Sequence, residues 1–379
     1  MHKIIVLGAG MVGSCIALDM AENHKVTLTD IDMNVLEKAR ERNNDLTIRQ
    51  LDVTDKEALK QVIKEHDLVL NAVPGFLGYE TLRTVIEEGV NVVDIAFAPE
   101  NTLELDELAR KRNVTAIVDC GIAPGMDNLL LGYHNEQMKL TDFECLVGGL
   151  PKVRKWPFYY KAPFSPIDVI EEYTRPARYV EHGKEVIREP LTDSEFIYFN
   201  GVGTLEAFNT DGLRSIIYTM KDIPGMKEKT LRYPGHVEYI KVLKESGFFS
   251  NERIEIDGKM ISPLDFTVKI LLKEWKLEDK EEDITVFRVT LKGVNEDGKK
   301  EEVIYNLIDE YNTEKQLTSM ARTTGYTATA AANMFLDGLF EEKGVFPPEL
   351  IGRHKNCFDY IMNYLEERNI HFIKESSRE

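Results

Sequence analysis

The stretch from Lys3 to Asp30 constrains the fold more than any other part of the chain. Lys3-Ile4-Ile5-Val6-Leu7 reads as a short buried strand and runs straight into Gly8-Ala9-Gly10-Met11-Val12-Gly13. A helical pattern follows from Ser14 to about Glu22, and a second apolar stretch, Val26-Thr27-Leu28-Thr29, ends in Asp30. Strand, glycine turn, helix, strand and acid stand in the order that a dinucleotide-binding βαβ unit requires. Gly8 permits the tight turn off the strand. Gly10 lets the backbone approach a pyrophosphate, and Gly13 lets the helix pack near the strand. The helix start, with Met11 and Val12 in its turn, offers free N–H groups and a partial positive charge to phosphates. Asp30 follows Gly13 by seventeen residues, near the spacing of an acid that accepts hydrogen bonds from the adenosine ribose hydroxyls. A carboxylate there repels a 2′-phosphate, and no Arg follows it closely, so the expected coenzyme is NAD rather than NADP. GxGxxG alone is often a flexible turn; the agreement of all the parts carries the reading.

The first third of the chain goes on alternating strands and helices. Leu46 to Ile48, Asp67 to Val73, Val90 to Asp94 and Val114 to Asp119 read as strands. Asp55 to Lys64, Thr81 to Glu88 and Leu103 to Arg112 read as helices. Apolar strands between amphipathic helices predict a parallel sheet covered on both faces, with functional loops at the C-terminal strand ends. Three such ends carry unusual loops: Asp52-Val53, Val73-Pro74-Gly75, and Gly121-Ile122-Ala123-Pro124-Gly125-Met126. Asp52, Val53, Val73, Pro74, Gly75, Pro124 and Gly125 therefore join the expected coenzyme contacts.

The pattern changes after about Asn128. Phe143 to Gly149, Tyr179 to Glu181, Ile197 to Phe199, Arg253 to Ile256, Ile284 to Leu291 and Glu302 to Ile308 read as strands, and Gly293 to Gly298 as a hairpin turn. Grouped strands predict a mostly antiparallel sheet in a second, α+β domain. Thr323 to Leu339 is an Ala-rich helical pattern expected to run back toward the first domain, and Ile361 to Arg368 is a last amphipathic helix. The expected fold class is α/β: a Rossmann domain over 1–127, an α+β catalytic and dimerisation domain over 128–320, and C-terminal helices over 321–379 packing back on the first domain.

Bulk properties narrow the chemistry. A chain of 379 residues suggests two domains rather than one. It has 47 Lys and Arg against 65 Asp and Glu, a net charge of −18, which argues against a nucleic-acid surface. No apolar run approaches the ~20 residues of a membrane span, and the chain enters a strand at once, so neither a membrane span nor a signal peptide is expected. Cys15, Cys120, Cys145 and Cys357 follow no pairing or metal motif, and the eight histidines show no ligand spacing. The expectation is a cytoplasmic protein with reduced thiols and no metal.

The second domain offers candidates for gripping a substrate and moving a proton. Phe158 to Pro166 combines aromatics, a cation and a hydroxyl, with Tyr160 and Lys161 central. Arg175, the Asp211/Arg214 pair and Arg232 follow, and His236 stands just after a Pro-Gly turn. Arginine forks suit planar carboxylates, so Arg214 or Arg232 could seat one, although structural salt bridges are equally common. His236 or Lys161 could accept a proton near neutral pH, against the commoner readings of a structural histidine and a surface lysine. Asp211 could serve only to orient Arg214.

Taken together, these segments resemble the saccharopine dehydrogenase-like family, most closely its lysine 6-dehydrogenase branch. The matching pieces are GAGMVG at the N-terminus, AVPGFLG (72–78), GIAPGM (121–126), VGGLP (147–151), YYKAPFSP (159–166), EEYTRPAR (171–178), DGLRS (211–215), RYPGH (232–236) and ARTTGYTA (321–328). The resemblance implies a Rossmann domain, a second domain with an antiparallel sheet, and a homodimer. It implies NAD-dependent oxidation of the terminal amine of L-lysine or a similar diamino acid, releasing ammonia and a semialdehyde that can cyclise. The alternative is a saccharopine-type dehydrogenase acting on a secondary amine. Reductases of that type usually carry an Asp where Ala123 stands, which favours the simpler amine.

Overall fold

The structure is a computed structural model that describes residues 1–163, 166–278 and 280–378. Phe164 and Ser165, read above as part of a substrate-facing loop, lie outside the described residues. The first domain runs β1 (Lys3–Leu7), α1 (Met11–Met20), β2 (Lys25–Asp30), α2 (Met33–Arg42), β3 (Thr47–Gln50), α3 (Lys56–Ile63), β4 (Leu68–Asn71), α4 (Gly75–Glu87) and β5 (Asn91–Asp94). A short 3-10 turn (Thr102–Leu105), α5 (Asp106–Lys111) and β6 (Thr115–Ile117) complete it. Ile4 to Leu7 are all fully buried, as a central parallel strand covered on both faces demands. Asp32 and Asp55 cap α2 and α3 by accepting hydrogen bonds from the Asn34 and Ala58 amides.

The second domain opens with α6 (Met126–Asn135), β7 (Met138–Pro151), α7 (Pro166–Thr174), β8 (Ala177–Glu181), β9 (Lys184–Arg188), β10 (Glu195–Phe199), β11 (Gly203–Asn209) and α8 (Ile216–Thr219). It continues with β12 (Gly225–Arg232), α9 (His236–Glu245), β13 (Ile254–Ile256), β14 (Lys259–Ile261), α10 (Pro263–Trp275), β15 (Asp283–Asn295) and β16 (Lys300–Glu310). The C-terminal part is α11 (Ser319–Leu336), β17 (Gly344–Phe346), α12 (Pro348–Gly352), α13 (Lys355–Glu366) and β18 (Ile373–Arg378).

Among the described residues the first sheet has the order β17-β6-β5-β4-β1-β2-β3, every neighbouring pair parallel. The order reverses at β1, between β4 and β2, which opens a crevice at the C-terminal strand ends. The second sheet follows β10-β11-β12-β7-β15-β16-β18, with β8 paired to β12 and β9 paired to β8. Its pairs are antiparallel except β12 with β7, so it is mixed rather than purely antiparallel. In that parallel pair Glu228 stands opposite Cys145 and Thr230 opposite Val147.

The C-terminal segment is more than helices packed on the first domain. β17 extends the first sheet beside β6, and β18 extends the second beside β16. At three residues, a glycine and two apolar side chains, β17 is too short for a periodicity reading, and β18 is exposed throughout and mostly polar. α11 joins the two layers. Its start is held by the Asp283 carboxylate, which accepts from the Ser319 and Met320 amides at 2.7 and 3.0 Å. Farther along, Gly325 packs against Cys15 and Ile16 of α1. The four cysteines are free and buried, and no helix among the described residues is long and apolar enough to cross a membrane.

Candidate active site

A cleft of about 1020 Å³ runs between the two sheets, from the β1–α1 turn to α7 and β12. At its first end lie Gly8 to Ser14 and Asp30. Gly8 has φ +96°, and a Cβ there would meet the Ala72 carbonyl at 2.6 Å, so only glycine fits. Gly13 is equally tight: its Cβ would stand 2.0 Å from the Gly8 carbonyl oxygen. Around Gly10, in contrast, nothing lies within 4 Å of a Cβ position, and no side chain caps α1. An open glycine at an uncapped helix start is the cradle a pyrophosphate needs.

Asp30 is fixed by backbone amides. Its carboxylate accepts from Ala9 at 2.7 Å and from Asp32 at 2.9 Å, which places it at the mouth of the glycine turn. These residues fit the adenosine and pyrophosphate of a dinucleotide. Farther along the cleft, Val73 and Pro74 after β4 and Pro124 after β6 form its wall. Met11 and Val12 also line the cleft.

Four expected coenzyme contacts lie off the cleft wall. Asp52 folds back on its own loop, accepting from the Thr54 amide and hydroxyl at 2.9 and 2.7 Å, with Val53 beside it. Gly75 and Gly125 serve packing instead. A Cβ on Gly75 would meet the Phe97 carbonyl at 2.4 Å, and one on Gly125 would overlap the Gly121 backbone. Lys38 and Arg42 of α2, which the sequence reading passed over, do line the cleft near Asp30. Their signal was i,i+4 spacing on the helix that follows the acid.

The substrate half corrects several expectations. His236 is fully buried behind the wall. Its Nδ1–H donates to the Phe158 carbonyl at 2.9 Å, and its Nε2 accepts from the Tyr173 hydroxyl at 2.9 Å. Burial, with the Arg232 charge beside it, pushes its pKa down to about 3, so it stays neutral. Both ring nitrogens are committed, and the proton-acceptor role fails for that reason. Lys161 also lies off the cleft, its Nζ donating to the Glu274 carbonyl at 2.7 Å. Tyr160 is buried under Arg232, whose guanidinium sits 4.5 Å from the ring centroid.

Arg214 and Asp211 are not partners. Arg214 is buried against Asp119 at 3.2 Å and stacks on Phe97, while Asp211 holds Arg178 through two bonds of 2.9 Å. Arg214 itself lies off the cleft; Asp119 and Asp211 line it. Arg232 does line the cleft, but each of its nitrogens already has a partner: Nη2 donates to Glu172 at 2.6 Å, Nε to Tyr173 at 3.1 Å and Nη1 to the Leu231 carbonyl at 3.0 Å. Arg175 is different. It lines the cleft, pairs with Glu171 at 2.9 Å and lies over Phe97, yet its Nη1 is buried with no hydrogen-bond partner among the described residues. A buried guanidinium N–H without an acceptor is costly unless a ligand supplies one. Of the arginines read from the sequence, Arg175 is the one that lines the cleft with a donor left unpaired among the described residues.

The wall also carries acids that sequence reading left without a role: Glu171, Glu172, Asp168 and Glu228. Glu228 sits on β12 within Met226-Lys227-Glu228-Lys229, whose alternating charge resembles a solvated strand or loop. Burial by the second sheet, which local pattern does not report, brings it inside.

Comparison with known proteins agrees with this architecture. The saccharopine dehydrogenase NADP binding domain profile matches residues 4–117, and the saccharopine dehydrogenase C-terminal domain profile matches residues 121–370. The saccharopine dehydrogenase [NADP(+), L-glutamate-forming] of Schizosaccharomyces pombe is 23% identical, over 92% of this chain and 94% of that protein. The carboxyaminopropylagmatine dehydrogenase of Synechocystis is 23% identical, over 92% of each chain. The apo saccharopine dehydrogenase (L-Glu forming) of Saccharomyces cerevisiae shares the fold with a TM-score of 0.80 over the whole of both chains, at 20% identity. These relatives bear saccharopine dehydrogenase and related names rather than the expected lysine 6-dehydrogenase one. With both profiles matched in order along the chain, this protein belongs to the saccharopine dehydrogenase family of amino-acid oxidoreductases, with a nicotinamide-dinucleotide-binding Rossmann domain.

Proposed function

We propose that the protein oxidises, or in reverse forms, a carbon–nitrogen bond of an amino acid that carries a second nitrogen. When bound, the nicotinamide dinucleotide supplies the hydride acceptor. The observation that carries this reading is the single cleft joining the glycine turn to Arg175, a guanidinium with a buried donor to spare. The α1 amides and Asp30 would hold the coenzyme. Arg175 would seat the substrate carboxylate and thereby fix the reacting carbon against the wall formed by Val73, Pro74 and Pro124.

The names of the relatives support a secondary amine of the saccharopine type better than the terminal amine of lysine, and we take the secondary amine first. A specific observation keeps lysine as the second reading. The substrate wall carries Asp168, Glu171, Glu172, Asp211 and Glu228 against Arg175 and Arg232, an excess of acid that suits an added ammonium more than added carboxylates. Ala123, on the same wall, brings no carboxylate of its own.

NAD is our preferred coenzyme because the Asp30 carboxylate faces the ribose position, although the relatives' names and the matching profile point to NADP. The test is absorbance of the reduced coenzyme with saccharopine, L-lysine and related amines, each with NAD and with NADP. Turnover of saccharopine above lysine supports the first reading, and the reverse order supports the second. Coenzyme binding without turnover of any amino-acid amine overturns both.

A further inference from the structure

Glu228 differs from the other acids of the substrate wall. Glu171 has Arg175, Glu172 has Arg232, Asp211 has Arg178 and Asp119 has Arg214. Glu228 is buried, 4% exposed, and among the described residues no Lys or Arg side chain pairs with it. Its Oε2 accepts from the Thr210 hydroxyl at 2.8 Å, and that hydroxyl shares a further hydrogen bond of 2.9 Å with Thr230. Thr210, Thr230 and Glu228 all line the cleft. So does Gly212, where a Cβ would stand 2.2 Å from Oε2. A side chain at 212 would crowd this carboxyl, and glycine leaves it open.

The titratable groups facing Glu228 are acids from three other elements: Glu172 of α7, Asp127 of α6 and Asp211 after β11. Cys145 of β7 and Tyr179 of β8 lie beside it. The guanidinium groups of Arg232, on the same strand, and of Arg178 are paired with Glu172 and Asp211. Burial above all, and then the repulsion of these acids, push the Glu228 carboxyl up to about 8, while Thr210 pulls the other way. A buried carboxyl kept near neutrality in a cleft has the properties of an acid–base group.

We propose that Glu228, with Thr210 and Thr230, seats the substrate's reacting amino nitrogen and removes the proton this nitrogen must lose before its carbon can be oxidised. The inference rests on the carbon–nitrogen oxidation reading above. An arriving ammonium supplies the cation that Glu228 lacks, so the Glu228 carboxyl sheds its proton to solvent as the amine binds. In the transfer step one N–H bond of the ammonium breaks and its electron pair stays on nitrogen. The proton bonds to a Glu228 carboxylate oxygen. The products are a free amine and a neutral carboxyl, so the step leaves no separated charges in the buried wall.

The experiment is calorimetric titration of saccharopine and of L-lysine into the protein loaded with reduced coenzyme, at pH 7, in two buffers of different protonation enthalpy. Wild type should release close to one proton per bound amine. Glu228→Gln should release none and lose roughly 10²–10⁴-fold in turnover, with coenzyme affinity unchanged. Undiminished proton release in E228Q, or turnover within a few-fold of wild type, overturns the assignment. Should E228Q fail to fold, Thr210→Val provides the second arm. Losing the bond to Oε2 should move the pH dependence of turnover to more alkaline pH, and an unmoved profile overturns the assignment equally. If wild type binds coenzyme but neither amine, the failure lies in the carbon–nitrogen oxidation reading, and the role of Glu228 falls with it.

Discussion

Replacing Gly10 by alanine separates folding from coenzyme binding more cleanly than any other single change here. Gly10 has φ −63°, a value any residue adopts, and a Cβ there meets nothing within 4 Å. Alanine lowers the entropy of the unfolded chain, worth about 0.4–1 kcal/mol, and loses a similar few tenths as a poorer N-cap. The fold should therefore keep its stability to within about 1 kcal/mol. The new methyl group stands in the space into which the pyrophosphate must come. Overpacking by one such group costs about 1–3 kcal/mol, which is roughly a 5–150-fold weaker Kd. Thermal unfolding with and without coenzyme reads both effects. Coenzyme at 100 times the wild-type Kd stabilises wild type by about 2.7 kcal/mol, whereas a Kd weakened 100-fold leaves only about 0.4 kcal/mol. Gly13→Ala is the counterpart. Its Cβ would stand 2.0 Å from the Gly8 carbonyl oxygen, so α1 must move off β1 and the protein should lose stability before any coenzyme is added. A Gly10→Ala variant that keeps the full coenzyme shift, or a Gly13→Ala variant that melts like wild type, would refute the reasoning.

Three further outcomes follow from the same geometry. Arg175→Met should raise KM for the amino-acid substrate by tenfold or more, about 1.4 kcal/mol, and leave coenzyme affinity alone; an unchanged KM removes Arg175 from the substrate seat. Asp30→Ala should raise kcat/KM for NADP relative to NAD by about tenfold, read from initial rates with the two coenzymes, because the carboxylate no longer repels a 2′-phosphate; a constant ratio would show that Asp30 does not discriminate. Arg368→Ala leaves the buried Asp19 carboxylate with the Tyr364 and Thr329 hydroxyls but no cation. Breaking such a pair costs about 3–5 kcal/mol. With an unfolding entropy of about 0.8 kcal/mol/K for a chain this long, Tm should fall by about 4–6 °C, and a fall under about 1 °C would contradict the assigned role.

The first domain was legible because local pattern and tertiary role coincide there. The Lys3-to-Asp30 stretch needs only its own residues to specify a strand, a glycine turn, an uncapped helix and an acid, and the structure has these elements in that order, with the helix starting at Met11 rather than Ser14. The second domain was legible in class but not in detail. β12 was missed because Lys227, Glu228 and Lys229 look solvated, whereas the neighbouring strands bury Glu228 and Lys229. His236 misled for the opposite reason. A histidine after a Pro-Gly turn looks available, yet Tyr173 and Phe158, 63 and 78 residues away in sequence, occupy both ring nitrogens. The pairing of Asp211 with Arg178 rather than Arg214 has the same origin, since contacts across 33 residues leave no trace in a local motif. Arg175 could not be ranked above Arg214 and Arg232 from sequence, because what distinguishes it is a donor without a partner.

The chain crosses between its two sheets where the chemistry must occur. The first crossing is Gly121 to Met126, and its Gly121 to Pro124 part lines the cleft. The second enters α11, whose Met320, Ala321 and Thr324 line it from the other side. α11 is anchored to the second sheet by Asp283 at its start and by Arg322, which donates to Asp309 at 3.1 Å. A turn later Gly325 rests on α1, the helix whose N-terminus faces the pyrophosphate position. The buried helix α11 thus links the substrate sheet to the phosphate-binding helix. For hydride transfer this matters, because the distance between a substrate carbon and a nicotinamide is set by how the two sheets are held. It also gives the Asp19–Arg368 pair a place in the mechanism of assembly: Asp19 lies on α1, Thr329 on α11, and Tyr364 and Arg368 at the end of α13, so one buried carboxylate ties together the three helices that fix that distance.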